Sequence, residues 1–234
     1  MKTLVTAIAL LCGAAGASQA ATYKAVFSDL TDYNSGIWRL GGDPRATTMT
    51  FTWEVDEAPR PLAGPYSYTR TSNYSFDYVF LPYKTFSVTV GGVTFYGGAS
   101  TTTSNRIYLR DGIADGRYGI NDYMQVFTTT NRSLSDGWYV DYFYMSSYDD
   151  DETSISGLDH PGVQELSGMA GHGGQIVLRN ATSGSYAYVT SSTLSEVSEI
   201  SVMPLPAAAP LMIAGLAALG LLRRRKRRAA LSTQ

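Results

Sequence analysis

The sequence predicts an all-β protein: a single antiparallel β-sandwich or jelly-roll-like domain, followed by one C-terminal transmembrane helix. Three observations predict it. Between Ala21 and Val202 the chain is rich in Thr, Ser, Tyr and Gly and sparse in the Ala, Leu, Lys and Glu that favour helices. Several short stretches alternate apolar and polar residues with period two, separated by Gly, Asn and Asp. Near the end, a nearly pure apolar run from Ala207 to Leu222 shows no polar face and is closed by six consecutive cations.

The N-terminus comes first in the chain. Lys2, the apolar stretch Leu4 to Leu11 and the small residues up to Ser18-Gln19-Ala20 read as a secretory signal peptide over residues 1–20. Ser18 and Ala20 have the small side chains that signal peptidase needs, so the Sec export machinery would deliver a mature chain cut between Ala20 and Ala21. The single cysteine, Cys12, lies in this peptide, leaving the mature chain without disulfides, a thiol nucleophile or a thiolate metal site.

Residues 21–194 are expected to form the β-sandwich domain. In Thr47 to Val55, Met49, Phe51, Trp53 and Val55 share one face, and the threonines and Glu54 share the other. Phe86, Val88 and Val90 alternate with Ser87 and Thr89, and Gly91-Gly92 then supplies a two-residue turn into Val93 to Tyr96. Trp138 to Met145 is aromatic on both faces, as expected of a central strand covered on both sides. Gln175 to Arg179 and Tyr186 to Thr193 flank Asn180 to Ser185 as a hairpin with a longer loop. The segment Tyr148 to Gly174 breaks this rhythm, and residues 195–203 read as a tether.

The tail follows. Leu205 to Leu222 would span about 27 Å as a helix, near the lower limit for a bilayer core of about 30 Å. Pro206 and Pro210 fall at its start, where proline costs little. The cluster Arg223, Arg224, Arg225, Lys226, Arg227 and Arg228 would stay cytoplasmic, placing the folded domain on the opposite side of the membrane. The motif Met203-Pro204-Leu205-Pro206-Ala207, the apolar segment 207–222 and the basic cluster 223–228 together resemble the VPLPA-type member of the PEP-CTERM sorting signals of Gram-negative bacteria, with Met203 where that family usually has valine. The resemblance covers residues 204–228, with 229–234 as a short tail. It implies an inner-membrane anchor in contact with lipid and processing by an exosortase-like enzyme, which sends the domain from the periplasmic side to the cell surface or beyond. It implies no shared activity.

Charge narrows the remaining classes. The mature domain holds all twenty acidic residues but eleven of the eighteen basic ones, a net charge of −9 that repels nucleic acid. Asp149-Asp150-Asp151-Glu152 offers oxygen ligands that calcium would accept, but without the spacing of a wrapping loop, so the run reads first as a solvated loop and no cofactor is expected. Asp111 to Arg117 reads as turns. His160 and His172 lack the spacing of a helical zinc pair, no Gly-x-Ser-x-Gly elbow occurs, and Gly171-His172-Gly173-Gly174 is an anion nest without a phosphate-loop lysine. No catalytic residue and no metal ligand is assigned. Trp38, Trp53, Trp138 and nearby tyrosines could instead build a carbohydrate platform, against the alternative that they fill the core. The sequence thus predicts an exported, non-catalytic structural or interaction protein. A lectin-like module contacting extracellular polysaccharide is the alternative, and a secreted glycoside hydrolase using paired carboxylates is a third reading.

Overall fold

Period-two alternation has a direct consequence: each strand has one apolar face, and two sheets must meet to bury them. In the computed structural model, which describes residues 20–200 apart from 57–58, 72–73, 99, 101–103, 113–121, 150–154 and 156, they do so. The fold is all-β, with every strand pair antiparallel. The strands are β1 (Ala20–Ser28), β2 (Thr31–Tyr33), β3 (Met49–Asp56), β4 (Ala63–Thr71), β5 (Tyr74–Leu81), β6 (Thr85–Val90), β7 (Val93–Tyr96), β8 (Arg106–Gly112), β9 (Asp122–Ser133), β10 (Trp138–Asp149), β11 (Gly171–Asn180), β12 (Tyr186–Ser191) and β13 (Thr193–Ile200). Two short helices interrupt them, α1 (Gly36–Arg39) and α2 (Val163–Gly168).

A five-stranded sheet runs in the order β13-β1-β3-β6-β7, and an eight-stranded sheet in the order β2-β12-β11-β10-β9-β8-β5-β4. In the larger sheet β8 to β12 follow one another as a meander. The inner faces supply the core, with Phe27, Phe51, Trp53, Phe86 and Val88 from the smaller sheet and Leu109, Met124, Val126, Phe143 and Ile176 from the larger, all essentially inaccessible. Phe86 and Phe143 meet across the layers at 4.9 Å between ring centroids. The hydrogen-bond ladders thereby satisfy the backbone while the apolar faces leave water.

The sequence expectations over Thr47 to Val55, the Gly91-Gly92 turn and the hairpin around Asn180 to Ser185 coincide with β3, the β6–β7 hairpin and the β11–β12 hairpin. Asn180 holds the last loop closed, its Oδ1 accepting from the Thr182 and Ser183 amides and its Nδ2 donating to the Asp136 carbonyl.

Two expectations are corrected. Residues 195–203 are not a tether throughout, because Thr193–Ile200 forms β13, an edge strand along β1. The pairing passes from Val26↔Glu196 to Phe27↔Leu194, so Ser195 is an extra, bulged residue. The bulge turns both Leu194 and Val197 toward the core despite their spacing of three. The Ser195 hydroxyl donates to the Val26 carbonyl, and Lys24 pairs with Glu196 at 2.6 Å. The second correction concerns the glycine-rich end of 148–174, which is not a loop or nest but the start of β11. The proposed cleavage point lies at the first residues of β1, where Ala20 faces Asp56 and Ala21 faces Val55. Signal-peptide residues 1–19, the sorting motif Met203 to Ala207, the segment 207–222 and the cluster Arg223 to Arg228 lie outside the described residues. Among the described residues no helix is long and apolar enough to cross a membrane.

The β6–β7 turn yields a stability prediction. Gly91 (φ +56°) and Gly92 (φ +80°) both adopt left-handed backbone, but a Cβ on Gly91 would stand 2.5 Å from the Asp43 amide nitrogen, whereas one on Gly92 meets nothing within 4 Å. Gly92→Ala should therefore cost only about 1–2 kcal/mol of backbone strain. Gly91→Ala should cost at least about 1 kcal/mol more, because the Asp43 backbone must move. Urea midpoints of the two variants check the order.

Candidate functional site

The two sheets differ on their outer faces. On the smaller sheet the outward positions are mostly polar, among them Lys24, Thr50, Thr52, Glu54, Ser87, Thr89 and Thr94, with Val26, Tyr96 and Ile200 as exceptions. On the larger sheet the outward positions are aromatic on almost every strand. Alternation in β5, β8, β9 and β10 buries one residue and leaves the next half-buried, and the half-buried residues include the rings of Tyr78 and Phe80, Tyr108, Tyr123 and Phe127, and Tyr142 and Tyr144, with the polar Arg106, Arg110, Gln125 and Thr129 between them.

Cross-strand pairing aligns these rings into rows that run across the strands. One row begins at the exposed Tyr66 on β4, 5.2 Å from Tyr78, and continues through Tyr108 (5.9 Å) to Tyr123 (5.8 Å). A second passes from Phe127 to Tyr142 at 5.6 Å. Tyr142 is paired with Val177, Val177 with Tyr188, and Tyr188 with Tyr33, whose rings stack at 4.6 Å. Val177 is 4% exposed yet stands apart from the core cluster, because the neighbouring rings cover it on the outside of the sheet. A bulge in β10, with Asp141 as the extra residue, keeps Val140 and Phe143 facing inward while Tyr142 and Tyr144 face outward.

Three arginines lie among the rings. The Arg106 guanidinium sits over Phe80 at 5.2 Å and over Phe127 at 5.4 Å, joining the two rows. Arg110 lies over Tyr123 at 5.7 Å, and Arg179 over Tyr186 at 5.5 Å. Each contact places a cation on the negative face of a ring. Burial lowers the Arg106 pKa and raises those of Tyr123, Tyr142 and Tyr144. The tyrosine hydroxyls therefore stay protonated and can both donate and accept. The result is a half-buried aromatic surface bearing hydroxyls and guanidinium groups.

The sequence-derived candidates lie elsewhere. Trp53 is fully buried in the core, and Trp138 is nearly so, with Arg39 stacked on it at 4.2 Å. Trp38 alone of the three is exposed, at 62%. Tryptophan therefore does not build the aromatic outer face; tyrosine and phenylalanine do, which the periodicity of single strands could not show without knowing which face is covered. A pocket of about 370 Å³ beside Trp138 and Tyr139 is lined also by Asn131, Ser133 and Leu134.

His160 is held by the Trp53 indole, whose Nε1–H donates to its Nε2 at 2.9 Å, and by Tyr23, 4.5 Å away. His172 is bound instead to Ser147, 3.0 Å from its Nδ1. Each histidine thus has its own structural partner. Asp149 and Asp122 are buried opposite each other on β10 and β9, and Asp122 accepts from the Gly112 and Ile155 amides. Asp111 accepts from the Gly157 amide. These carboxylates fasten segments to the ends of strands. Among the described residues no three His, Cys, Asp or Glu side chains gather to hold a metal, and Asp150, Asp151 and Glu152 lie outside the described residues.

No family model matches the chain, and no curated protein or solved structure matches it either.

The buried histidine gives a pH prediction. Burial pushes the His160 imidazole down from 6.5 to about 4, and the nearby backbone of Pro161 and of His160 itself offsets this only in part. Between those values the unfolded chain binds a proton that the folded one refuses. Stability is thus complete above about pH 6.5 and falls as pH drops toward 4, by about 3 kcal/mol in all. His160→Gln, which keeps an acceptor for Trp53, should flatten this dependence. Urea midpoints taken from neutral pH to pH 4 measure it.

Proposed function

We propose that the protein is an exported, non-catalytic binding module that uses the outer face of its eight-stranded sheet to contact carbohydrate. The observation that carries this reading is the contrast between the two outer faces, one polar and one aromatic. Burying apolar rings is favourable, and a fold that leaves two rows of them half-exposed supports a surface meant to be covered. Planar rings with protonated hydroxyls suit sugar rings, which offer C–H faces to stack on and hydroxyls to bond. The rings run in rows over several strands of an open sheet face, which favours a chain-like glycan over a small molecule enclosed in a pocket.

The address is read from the termini. A signal peptide ending at Ala20 exports the chain. The Met203 to Arg228 segment holds it in the inner membrane with the domain on the periplasmic side, until an exosortase-like enzyme releases it toward the cell surface or extracellular matrix.

Two experiments check the two halves of this reading. The full chain should bind a subset of glycans on an array, and Tyr108→Ala/Tyr142→Ala should lose that signal with little change in melting temperature; equal binding by the variant would exclude this face. Deleting Pro204 to Arg228 should move the protein from the membrane fraction to the periplasm or medium. Intact mass of surface material should show a species running from Ala21 to near Pro206, and retention of Arg223 to Arg228 there would refute the sorting step.

A further inference from the structure

We infer that the pocket at the β9–β10 turn is a subsite for one uncharged sugar residue, the end or a branch of the chain that lies on the aromatic face. The inference rests on the carbohydrate reading above and adds a second contact point and the kind of sugar unit that fills it.

The pocket lies between two loops and the start of β10. The β9–β10 turn contributes Asn131, Ser133, Leu134 and Gly137, β10 contributes Tyr139, and the β11–β12 loop contributes Ala181. Its volume of about 370 Å³ is near the lower end of small-molecule sites, which run from about 300 to 1,000 Å³. It therefore admits one ring-sized unit and not a length of polymer.

The walls are fixed before any ligand arrives. The Ala181 amide donates to the Gly137 carbonyl at 2.9 Å and Asn180 Nδ2 donates to the Asp136 carbonyl at 3.0 Å, so the two loops are tied together. Between the pairs Val140↔Arg132 and Tyr142↔Thr129, Thr130 and Asn131 stand against Asp141 alone, so β9 carries an extra residue there. Asn131 adopts a left-handed backbone (φ +52°), which asparagine tolerates better than most side chains. Walls held in this way lower the ordering cost of binding.

The chemistry of the lining selects the ligand. No lining residue is charged, so a carboxylate or ammonium group would lose water there without gaining a partner. Asn131, Ser133 and Tyr139 offer an amide and two hydroxyls, and among the described residues none of these side chains has a hydrogen-bond partner in the protein. Such groups both donate and accept, as sugar hydroxyls do. The Tyr139 ring and Leu134 supply apolar surface for a C–H face. Tyr139 also belongs to the outer face of the larger sheet, since it pairs with Arg179, and Arg179 with Tyr186. The pocket thus adjoins the aromatic face on the strand that supplies Tyr142.

The test follows the amide resonances of the nitrogen-labelled full chain in detergent. The probes are the methyl glycosides of glucose, galactose, mannose and N-acetylglucosamine, with those of glucuronate and galacturonate as charged counterparts. At least one neutral glycoside should shift the Ser133, Gly137 and Ala181 amides at millimolar concentration, and the uronates should bind on the order of tenfold more weakly or less well still. Asn131→Gly/Ser133→Ala, in which glycine keeps the left-handed backbone, should weaken that glycoside by a similar factor with the melting temperature unchanged. Tyr139→Phe removes one hydroxyl but keeps the ring, and should retain part of the affinity. Unchanged affinity in Asn131→Gly/Ser133→Ala would overturn the subsite, and equal binding by a uronate would overturn its assignment to an uncharged unit. If no glycoside shifts these amides while array binding still depends on Tyr108 and Tyr142, the subsite falls and the carbohydrate reading stands. If array binding is absent as well, both fall.

Discussion

The close approach of the two sheets at Gly174 is the constraint on which the rest of the structure depends. A Cβ at this position would stand 2.7 Å from the Phe51 ring, 3.1 Å from Met49 and 3.2 Å from Phe27. Glycine lets the aromatic centre of the smaller sheet rest against the backbone of β11. With Gly174 pinned inward, alternation sends Gln175, Val177 and Arg179 outward, since a slip of one residue would exchange the faces. Pairing then passes that choice to both neighbours, to Tyr142 and Tyr144 on β10 and to Tyr188 on β12. The aromatic outer face is thus a consequence of how the core closes, and no strand could rotate its rings inward without emptying the core opposite.

An open aromatic face threatens solubility, and the way this protein limits that threat separates face from edge. The edges of the larger sheet are the three-residue β2 and the twice-bulged β4, which carries Pro65. On the smaller sheet the edges are the four-residue β7 and β13, which carries Glu196 and Glu199. Short strands, bulges, proline and charge all oppose edge-to-edge pairing with another chain. The face receives no such treatment. Its rings pack on each other and on guanidinium groups, and Tyr148 lies over Gly171, where a Cβ would come within 2.0 Å of the ring. Bracing of this kind makes the surface rigid without covering it, so little side-chain freedom would be lost when a ligand settles on it.

Much of the fold was legible from local patterns. Met49 to Val55 alternates strictly, Gly91-Gly92 supplies the two positive φ angles that a tight hairpin needs, and Asn180 closes its loop with its own side chain. Each of these signals lies within a few residues. The misreadings share the opposite character. β13 escaped because its inward residues, Leu194 and Val197, are spaced by three across a bulge that only the partner strand reveals. Gly171 to Gly174 looked like a loop because glycine weakens an isolated strand, whereas here it makes room for Tyr148 on one side of the sheet and Phe51 on the other. For the site, the aromatic richness was visible but its placement was not. Trp53 and Tyr78 both sit in alternating strands, and only the packing of the second sheet decides that Trp53 is buried and Tyr78 is not. The proposed sorting signal at Met203 to Arg228 is the reverse case, a reading that rests on residue order alone.

The two layers of this domain answer different demands. No cysteine occurs from Ala21 to Gln234, so the domain has no disulfides to hold it. Stability must come from the sheet interface, and a sandwich in which Phe27, Phe51, Phe86, Phe95 and Phe143 are fully buried can supply it. The polar face of the smaller sheet carries Lys24–Glu196 and Lys84–Asp56 pairs at its surface. The larger sheet is three strands wider than its partner, and its outer face extends across all of them. A core of this size needs no such width for its own sake, because strands beyond the partner sheet bury less apolar surface per residue. The added width instead lengthens the aromatic rows, which reach Tyr66 on the outermost strand.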